Sequence, residues 1–209
     1  MLEEDWWPFC FLAQNDYDVD ITYPIVIQCL KWRKSFCVQR IRILELKPLL
    51  EKSAIYMYGR DLNSFPILWF KMNRIKVDEA NAEELFIYWL ERYRTSAKRE
   101  YPVTLLFDMS GTGLQNLSLE FVRFILHAFK YYYPCCLGLL LVYENPTILS
   151  ASWRLVKSWM DTMMQPPLKH VTRESIGNYI SSYYVPIEMG GKVSRFIYQA
   201  SFDVYSESW

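Results

Sequence analysis

The chain has 209 residues, enough for one domain with a sizeable core, and its 23 Lys+Arg balance 23 Asp+Glu, so no net field draws it to nucleic acid. Five cysteines, odd in number and none at C-x-x-C spacing, argue against a disulfide framework and for reduced thiols in a cytosolic setting. Glu3, Glu4 and Asp5 stand where a signal peptide carries positive charge, and the longest apolar run, around Leu137–Tyr143, falls far short of the roughly 20 residues of a spanning helix; the chain is not expected to cross a membrane by itself.

Residues 1–20 read as irregular, acidic and aromatic. A helix is expected from Pro24, with the proline in its first turn, where no N–H is needed. A second short helix is expected over 41–52, broken near Pro48. Ala54–Tyr58 and Pro66–Met72 read as two strands joined by the turn residues Gly59–Ser64, a hairpin. Glu79 to about Lys98 follows as a helix with Leu85, Phe86, Trp89, Leu90 and Tyr93 on one face.

Val103–Asp108 and Leu139–Tyr143 are continuous apolar runs, the mark of strands covered on both faces, as in parallel sheet. The helix between them carries Asn116, Glu120, Arg123, His127 and Lys130 on one stripe, opposite Phe121, Phe124, Ile125, Ala128, Phe129 and Tyr132. Ser118 suits its N-cap, and Glu120 and Lys130 suit the helix dipole. Two strands joined by such a helix form a right-handed β-α-β unit. A helix capped by Asn145 and opened by Pro146 comes next. A strand over Leu168–Thr172 and a helix over Glu174–Tyr184 complete the order. Residues 1–53 are expected to be a helical region, 54–192 the mixed sheet domain and 193–209 a tail.

The motifs do not assemble into catalysis. Ser110-Gly111-Thr112-Gly113 follows a strand, but Asn116 stands where a dinucleotide fingerprint needs its third glycine, and there is no Gly-Lys-Ser/Thr. The two histidines, His127 and His170, have no local partner for nucleophilic catalysis or at metal spacing, so neither an enzyme nor a metal site is expected. The segment 145–161 places Ile148, Leu149, Ser152, Trp153, Leu155, Val156, Trp159 and Met160 on a broad apolar face, followed by Met163 and Met164. Spacing alone favours an ordinary helix packed on the sheet. The functional reading is a lid over a cavity, able to meet a bilayer through its tryptophans and flanking basic residues.

A family resemblance runs through these landmarks. Lys31-Trp32-Arg33, Tyr58-Gly59-Arg60-Asp61 with Pro66-Ile67-Leu68-Trp69, Phe107-Asp108-Met109-Ser110-Gly111, Tyr132-Tyr133-Pro134, Asn145-Pro146 and Met189-Gly190-Gly191 resemble, in order, those of CRAL-TRIO lipid-binding proteins. The resemblance covers about residues 25–192. It implies an α/β fold in which a mixed, mainly parallel sheet flanked by helices floors an apolar lipid pocket, with a short N-terminal helical region. It further implies non-enzymatic binding, transfer or sensing of a lipid at cytosolic membrane faces, with 146–160 as the pocket gate.

On that reading the sheet contributes Trp69, Phe107, Leu141 and Tyr143 to the pocket. The gate contributes Ile148, Leu149, Trp153, Val156 and Met160, and Lys169 and His170 are headgroup candidates. The expected partners are a lipid ligand and a membrane surface, with no cofactor and no nucleic acid. Where the family's phosphatidylinositol transferers carry a Glu after Tyr-Tyr-Pro, this chain has Cys135. The alternative is a CRAL-TRIO module without a pocket, acting through protein tethering partners at endoplasmic reticulum contact sites if a longer, anchored form exists.

Overall fold

The computed structural model describes residues 6–97, 102–162 and 167–194. Its centre is a five-stranded sheet: β1 (Ile55–Arg60), β2 (Pro66–Lys71), β3 (Val103–Asp108), β4 (Leu137–Tyr143) and β5 (Leu168–Val171), side by side in chain order. β1 runs antiparallel to β2 and the remaining pairs are parallel, giving the mixed, mainly parallel sheet expected. β2 and β3 are buried at every position, as their unbroken apolar runs require. Gly59, at the register shift within β1, adopts φ 69°, and a Cβ there would come within 2.7 Å of the Tyr184 ring, so only glycine fits.

Three crossover helices link the parallel strands: α4 (Ala82–Ala97), α5 (Leu119–Tyr131) and α6 (Ser150–Thr162). α4 packs on α5 and α5 on α6, so all three lie on one face of the sheet. Ser118 caps α5 by accepting from the Phe121 N–H at 3.2 Å. Asn116 is not on the α5 stripe. It is buried in a 3-10 turn, where its Nδ2 donates to the Ile75 carbonyl at 3.0 Å and its Oδ1 accepts from the Gly113 N–H. The Ser110–Gly113 turn is therefore clamped by a side chain where a phosphate-binding glycine would leave open backbone.

The N-terminal region is more ordered than its sequence suggests. Trp6–Gln14 forms α1, which buries Trp7, Cys10 and Phe11, an i, i+3, i+4 triplet in a segment expected to be irregular. α2 (Val19–Ser35) begins where Asp18 accepts from the Ile21 N–H at 3.0 Å, so Pro24 falls inside the helix and not in its first turn. α3 (Ile43–Glu51) continues through Pro48 without breaking.

Two helix expectations change elsewhere. Asn145 does not cap: its buried Oδ1 has no partner, and a 3-10 turn, Thr147–Leu149, leads into α6. Glu174–Tyr184 is not a helix. Ile176–Asn178 makes one 3-10 turn, after which the chain is drawn to the hairpin by the Asp61–Ile180 bridge and by Leu62 N–H donating to the Tyr179 carbonyl at 2.8 Å. Val193, assigned to the tail, is buried and bridges to Pro186. Lys98, Met163, Met164 and 195–209 lie outside the described residues.

Candidate functional site

Residues paired in register share a face of the sheet, and the two faces divide the candidates. Phe70, Phe107, Val142 and His170 form one row across β2–β5. Phe70 meets Phe86 of α4 and Phe121 of α5, and Phe107 meets Trp153 of α6 edge-on at 5.3 Å, so this is the helix-covered face. Trp69, Leu106, Leu141 and Lys169 form the adjacent row on the opposite face, and Lys71, Asp108, Tyr143 and Val171 continue it toward the carboxyl edge of the strands.

The sheet candidates therefore do not converge on one cavity. Phe107 lies under α6, whereas Trp69, Leu141 and Tyr143 face the other way. Leu149, Trp153, Val156 and Met160 are buried, as the inner face of α6 demands. Ile148 is 64% exposed and Leu155 44%, so both leave the expected apolar face and turn to solvent. Arg123 of α5 sits over the Trp159 ring at 5.0 Å, tying the outer edge of α6 to its neighbour.

Trp69, Phe107, Leu141, Leu149, Trp153 and Val156 are wholly inaccessible to solvent. Side chains fill the contact between α6 and the sheet. One polar group is left over in that contact: the buried Trp153 indole N–H has no acceptor. Lys169 and His170, both exposed on edge strand β5, point to opposite faces because neighbours on a strand alternate. Burial and the nearby Lys157 of α6 hold the His170 imidazole below its usual range.

The opposite face carries a feature that sequence reasoning missed. At its carboxyl edge, Lys71 Nζ lies 2.6 Å from Asp108 Oδ2, both side chains more than nine-tenths buried. Asp108 Oδ1 accepts from the Ser110 N–H at 3.0 Å, and Glu188 Oε1 approaches Lys71 at 3.8 Å. Burial, Glu144 and Asp108 push the Tyr143 phenol up to about 12, so it stays a neutral hydroxyl at this edge. At the other end of the face, the Thr104 hydroxyl donates to Asp61 Oδ2 at 2.7 Å. The face thus has an apolar middle, Trp69–Leu106–Leu141, between two polar ends. The segment after β5 is joined to both ends: Tyr179 and Ile180 pair at the hairpin, and Glu188 reaches Lys71. The only sequence signal for the ion pair is a Lys and an Asp at the ends of two apolar runs.

Two further landmarks meet outside the sheet. Arg33 of α2 grips both carboxylate oxygens of Glu91 on α4, at 2.9 and 2.6 Å, and the Tyr133 hydroxyl donates to the same carboxylate at 2.7 Å. Cys135 is held against α1: its Sγ donates to the Cys10 carbonyl at 3.6 Å and its N–H to Gln14 Oε1 at 3.2 Å. Among the described residues, no group of three or more His, Cys, Asp or Glu side chains is placed to hold a metal ion, and no helix is long and apolar enough to cross a membrane.

A five-stranded mixed sheet with three crossover helices on one face and an N-terminal helical region defines an α/β domain. The chain belongs to the CRAL/TRIO domain family, whose sequence profile matches residues 50–191. It is 28% identical over 148 residues to the phosphatidylinositol transfer protein CSR1 of Eremothecium gossypii, covering 68% of this chain and 34% of that protein. It is 25% identical over 141 residues to a CRAL-TRIO domain-containing protein of Schizosaccharomyces pombe, covering 65% of this chain and 32% of that protein. Against Protein real-time of Drosophila melanogaster it is 22% identical over 216 residues, covering 90% and 33%. The chain thus spans about one third of the length of these curated relatives. Among solved structures, the crystal structure of Sfh5 shares the fold with a TM-score of 0.65 at 15% identity, over 96% of this chain and 81% of that one.

Proposed function

We propose that this domain binds a single apolar or amphipathic lipid and transfers or senses it, without catalysis, at cytosolic membrane faces, with α6 as the gate. The observation that carries this reading is the α6–sheet contact: an apolar inner face, Leu149, Trp153, Val156 and Met160, that encloses an unsatisfied indole N–H. A lipid chain replacing side chains in that contact gains about 0.8 kcal/mol per buried methylene. A lipid oxygen would accept from the Trp153 N–H. One relative being named a phosphatidylinositol transfer protein supports a lipid as the ligand class. The proposal stops short of an inositol headgroup, because Cys135 is engaged with α1 and Lys169 and His170 diverge.

Native mass spectrometry of the purified chain, before and after incubation with mixed-lipid vesicles, tests the reading. Stoichiometric lipid carried through purification or picked up from vesicles is the expected result. Protein that is folded, repeatedly empty and unable to take up lipid would overturn it.

A second reading has its own support in the wholly inaccessible candidate residues: a closed module that has lost its pocket and serves as a tether. Trp89-Leu90-Glu91-Arg92-Tyr93, Pro102-Val103-Thr104, Phe121–Ile125 and Val156–Trp159 resemble the CRAL-TRIO domain of motile sperm domain-containing protein 2. On that likeness the tethering partners would be proteins at endoplasmic reticulum contact sites. A folded, empty chain that pelleted with endoplasmic reticulum membranes would favour this reading.

A further inference from the structure

Cys10 and Cys135 stand 125 residues apart in the chain and meet where α1 docks on the turn between α5 and β4. Three hydrogen bonds fix that meeting. Cys135 Sγ donates to the Cys10 carbonyl at 3.6 Å, the Cys135 N–H donates to Gln14 Oε1 at 3.2 Å, and Gln14 Nε2 donates to the Lys130 carbonyl at 2.5 Å. Cys135 Sγ therefore lies against Cys10, and the Cys10 side chain is the neighbour that lowers the Cys135 thiol. Cys135 adopts the left-handed conformation at φ 58° and is exposed, whereas Cys10 lies beneath it at 7% exposure. One sulfur thus faces solvent and the other stands behind it, the disposition of an attacking thiol and a resolving thiol.

The remaining cysteines differ. Cys29 is fully buried, donates to the Tyr132 carbonyl, and burial pushes its thiol up to about 11, so little thiolate forms at neutral pH. Cys37 is exposed, just past the end of α2, and donates to the Lys34 carbonyl in that helix's last turn. Cys136 is half-buried beside Cys135 and is the one competitor in sequence.

We infer that Cys10 and Cys135 form a reversible thiol–disulfide couple that, on exposure to a hydroperoxide, covalently locks α1 to the turn after α5. The Cys135 thiolate attacks the outer peroxide oxygen and the O–O bond breaks. The leaving alkoxide or hydroxide takes up a proton, and Cys135 becomes a sulfenic acid. The Cys10 sulfur, giving up its proton, then attacks the Cys135 sulfur and expels hydroxide, which leaves as water. In sum two thiols and one hydroperoxide give one disulfide, one alcohol (or water, from hydrogen peroxide) and one water, with two electrons passing from sulfur to oxygen. The hydrogen bond from Cys10 favours the first step, because it holds the Cys135 thiol down to about 7 against the opposing effect of burial.

A bond across so long a loop restricts the unfolded chain far more than the folded one, which already holds the two residues together. The oxidised form should therefore melt on the order of 10 °C higher than the reduced form. The lock acts between α1 and the α5–β4 turn and does not depend on whether a lipid occupies the α6 contact.

The test is peptide mapping of the full chain under non-reducing conditions after treatment with hydrogen peroxide. A Cys10–Cys135 linked peptide, reversed by dithiothreitol together with the rise in melting temperature, is expected, and Cys37→Ser should leave both unchanged. Cys135→Ser and Cys10→Ala should abolish both. If Cys10→Ala does not fold, Cys10→Ser serves in its place, and absence of the Cys10–Cys135 linked peptide from the peroxide-treated unmodified chain overturns the couple. A Cys135–Cys136 or intermolecular link, or Cys135 driven to the sulfinic acid while Cys10 stays alkylatable, would also overturn it.

Discussion

Trp32 lies flat on Tyr132, ring centroids 3.8 Å apart and planes within 6°. The pair joins α2 to the residues that end α5, and Phe36 extends the contact to Phe124. Lys31-Trp32-Arg33 and Tyr132-Tyr133-Pro134 are therefore the two halves of one interface. Trp32→Ala should cost roughly 2–3 kcal/mol from lost ring burial and stacking. Trp32→Phe should recover part of it. Chemical denaturation of both variants measures the effect.

The next residues of the same landmarks make the polar half of that interface. Burial alone would raise the Glu91 carboxyl, but the two Arg33 hydrogen bonds, with Tyr133 and Arg94, outweigh it and leave the group below its ordinary 4.5. A carboxylate held down in the folded state contributes stability that is present above its unfolded value and lost as pH falls through the folded one. Glu91→Gln leaves Arg33 buried without its counter-charge and should cost about 3 kcal/mol near pH 7. That difference should begin to shrink as pH falls below the ordinary 4.5, where the unfolded chain takes up the proton first, and vanish once pH has fallen through the lowered folded value. Denaturation midpoints followed from pH 7 to pH 3 would show the two proteins converging; parallel curves would exclude the linkage.

Much of the sheet could be read from local pattern. Val103–Asp108 and the run into Tyr143 are buried strands because each apolar run needs cover on both faces, and Ser118 announces α5 through its cap. Failures came where distant contacts decide. Ile176–Tyr184 has helical spacing, yet pairing with Asp61 and Leu62 pulls it straight. The site was less legible than the fold, because sequence shows that Trp69, Phe70, Leu106 and Phe107 are all buried but not which alternate residues turn toward α6. That parity is set by β2–β3 register, a non-local property. Lys71 and Asp108, 37 residues apart, show in the sequence only as charges at the ends of two apolar runs.

Trp153 separates packing from ligand recognition. Its ring fills the space against Phe107, while its N–H stays buried without an acceptor. A buried donor left unpaired costs about 1–3 kcal/mol. Trp153→Phe keeps a ring in the contact and removes the donor, so the stability of the lipid-free chain should fall by less than about 1 kcal/mol, the cost of the smaller ring being offset by loss of the orphan. Lipid uptake should fall several-fold if a lipid oxygen accepts from that N–H. Paired thermal melts and native mass spectra resolve the two effects. Unchanged uptake would remove Trp153 from the proposed headgroup contacts.

The Lys71–Asp108 pair tests whether the carboxyl edge of the opposite face is structural or poised for a ligand. Two charges so deeply buried each lose hydration, and their 2.6 Å contact offsets that loss only while both are present. Asp108→Ala should therefore destabilise the fold by about 3–5 kcal/mol, through the uncompensated lysine more than through the missing contact. Lys71→Met together with Asp108→Leu should lie much closer to the parent chain, since it removes both desolvation costs at once. Glu188, exposed and 3.8 Å from Lys71, adds only a screened attraction, so Glu188→Gln should change stability by less than about 1 kcal/mol. A double variant that is stable and still takes up lipid would assign the pair to the fold. If it is stable but empty, Lys71 is the cation that the lipid requires, and Glu188 is the group a lipid anion must displace to reach it.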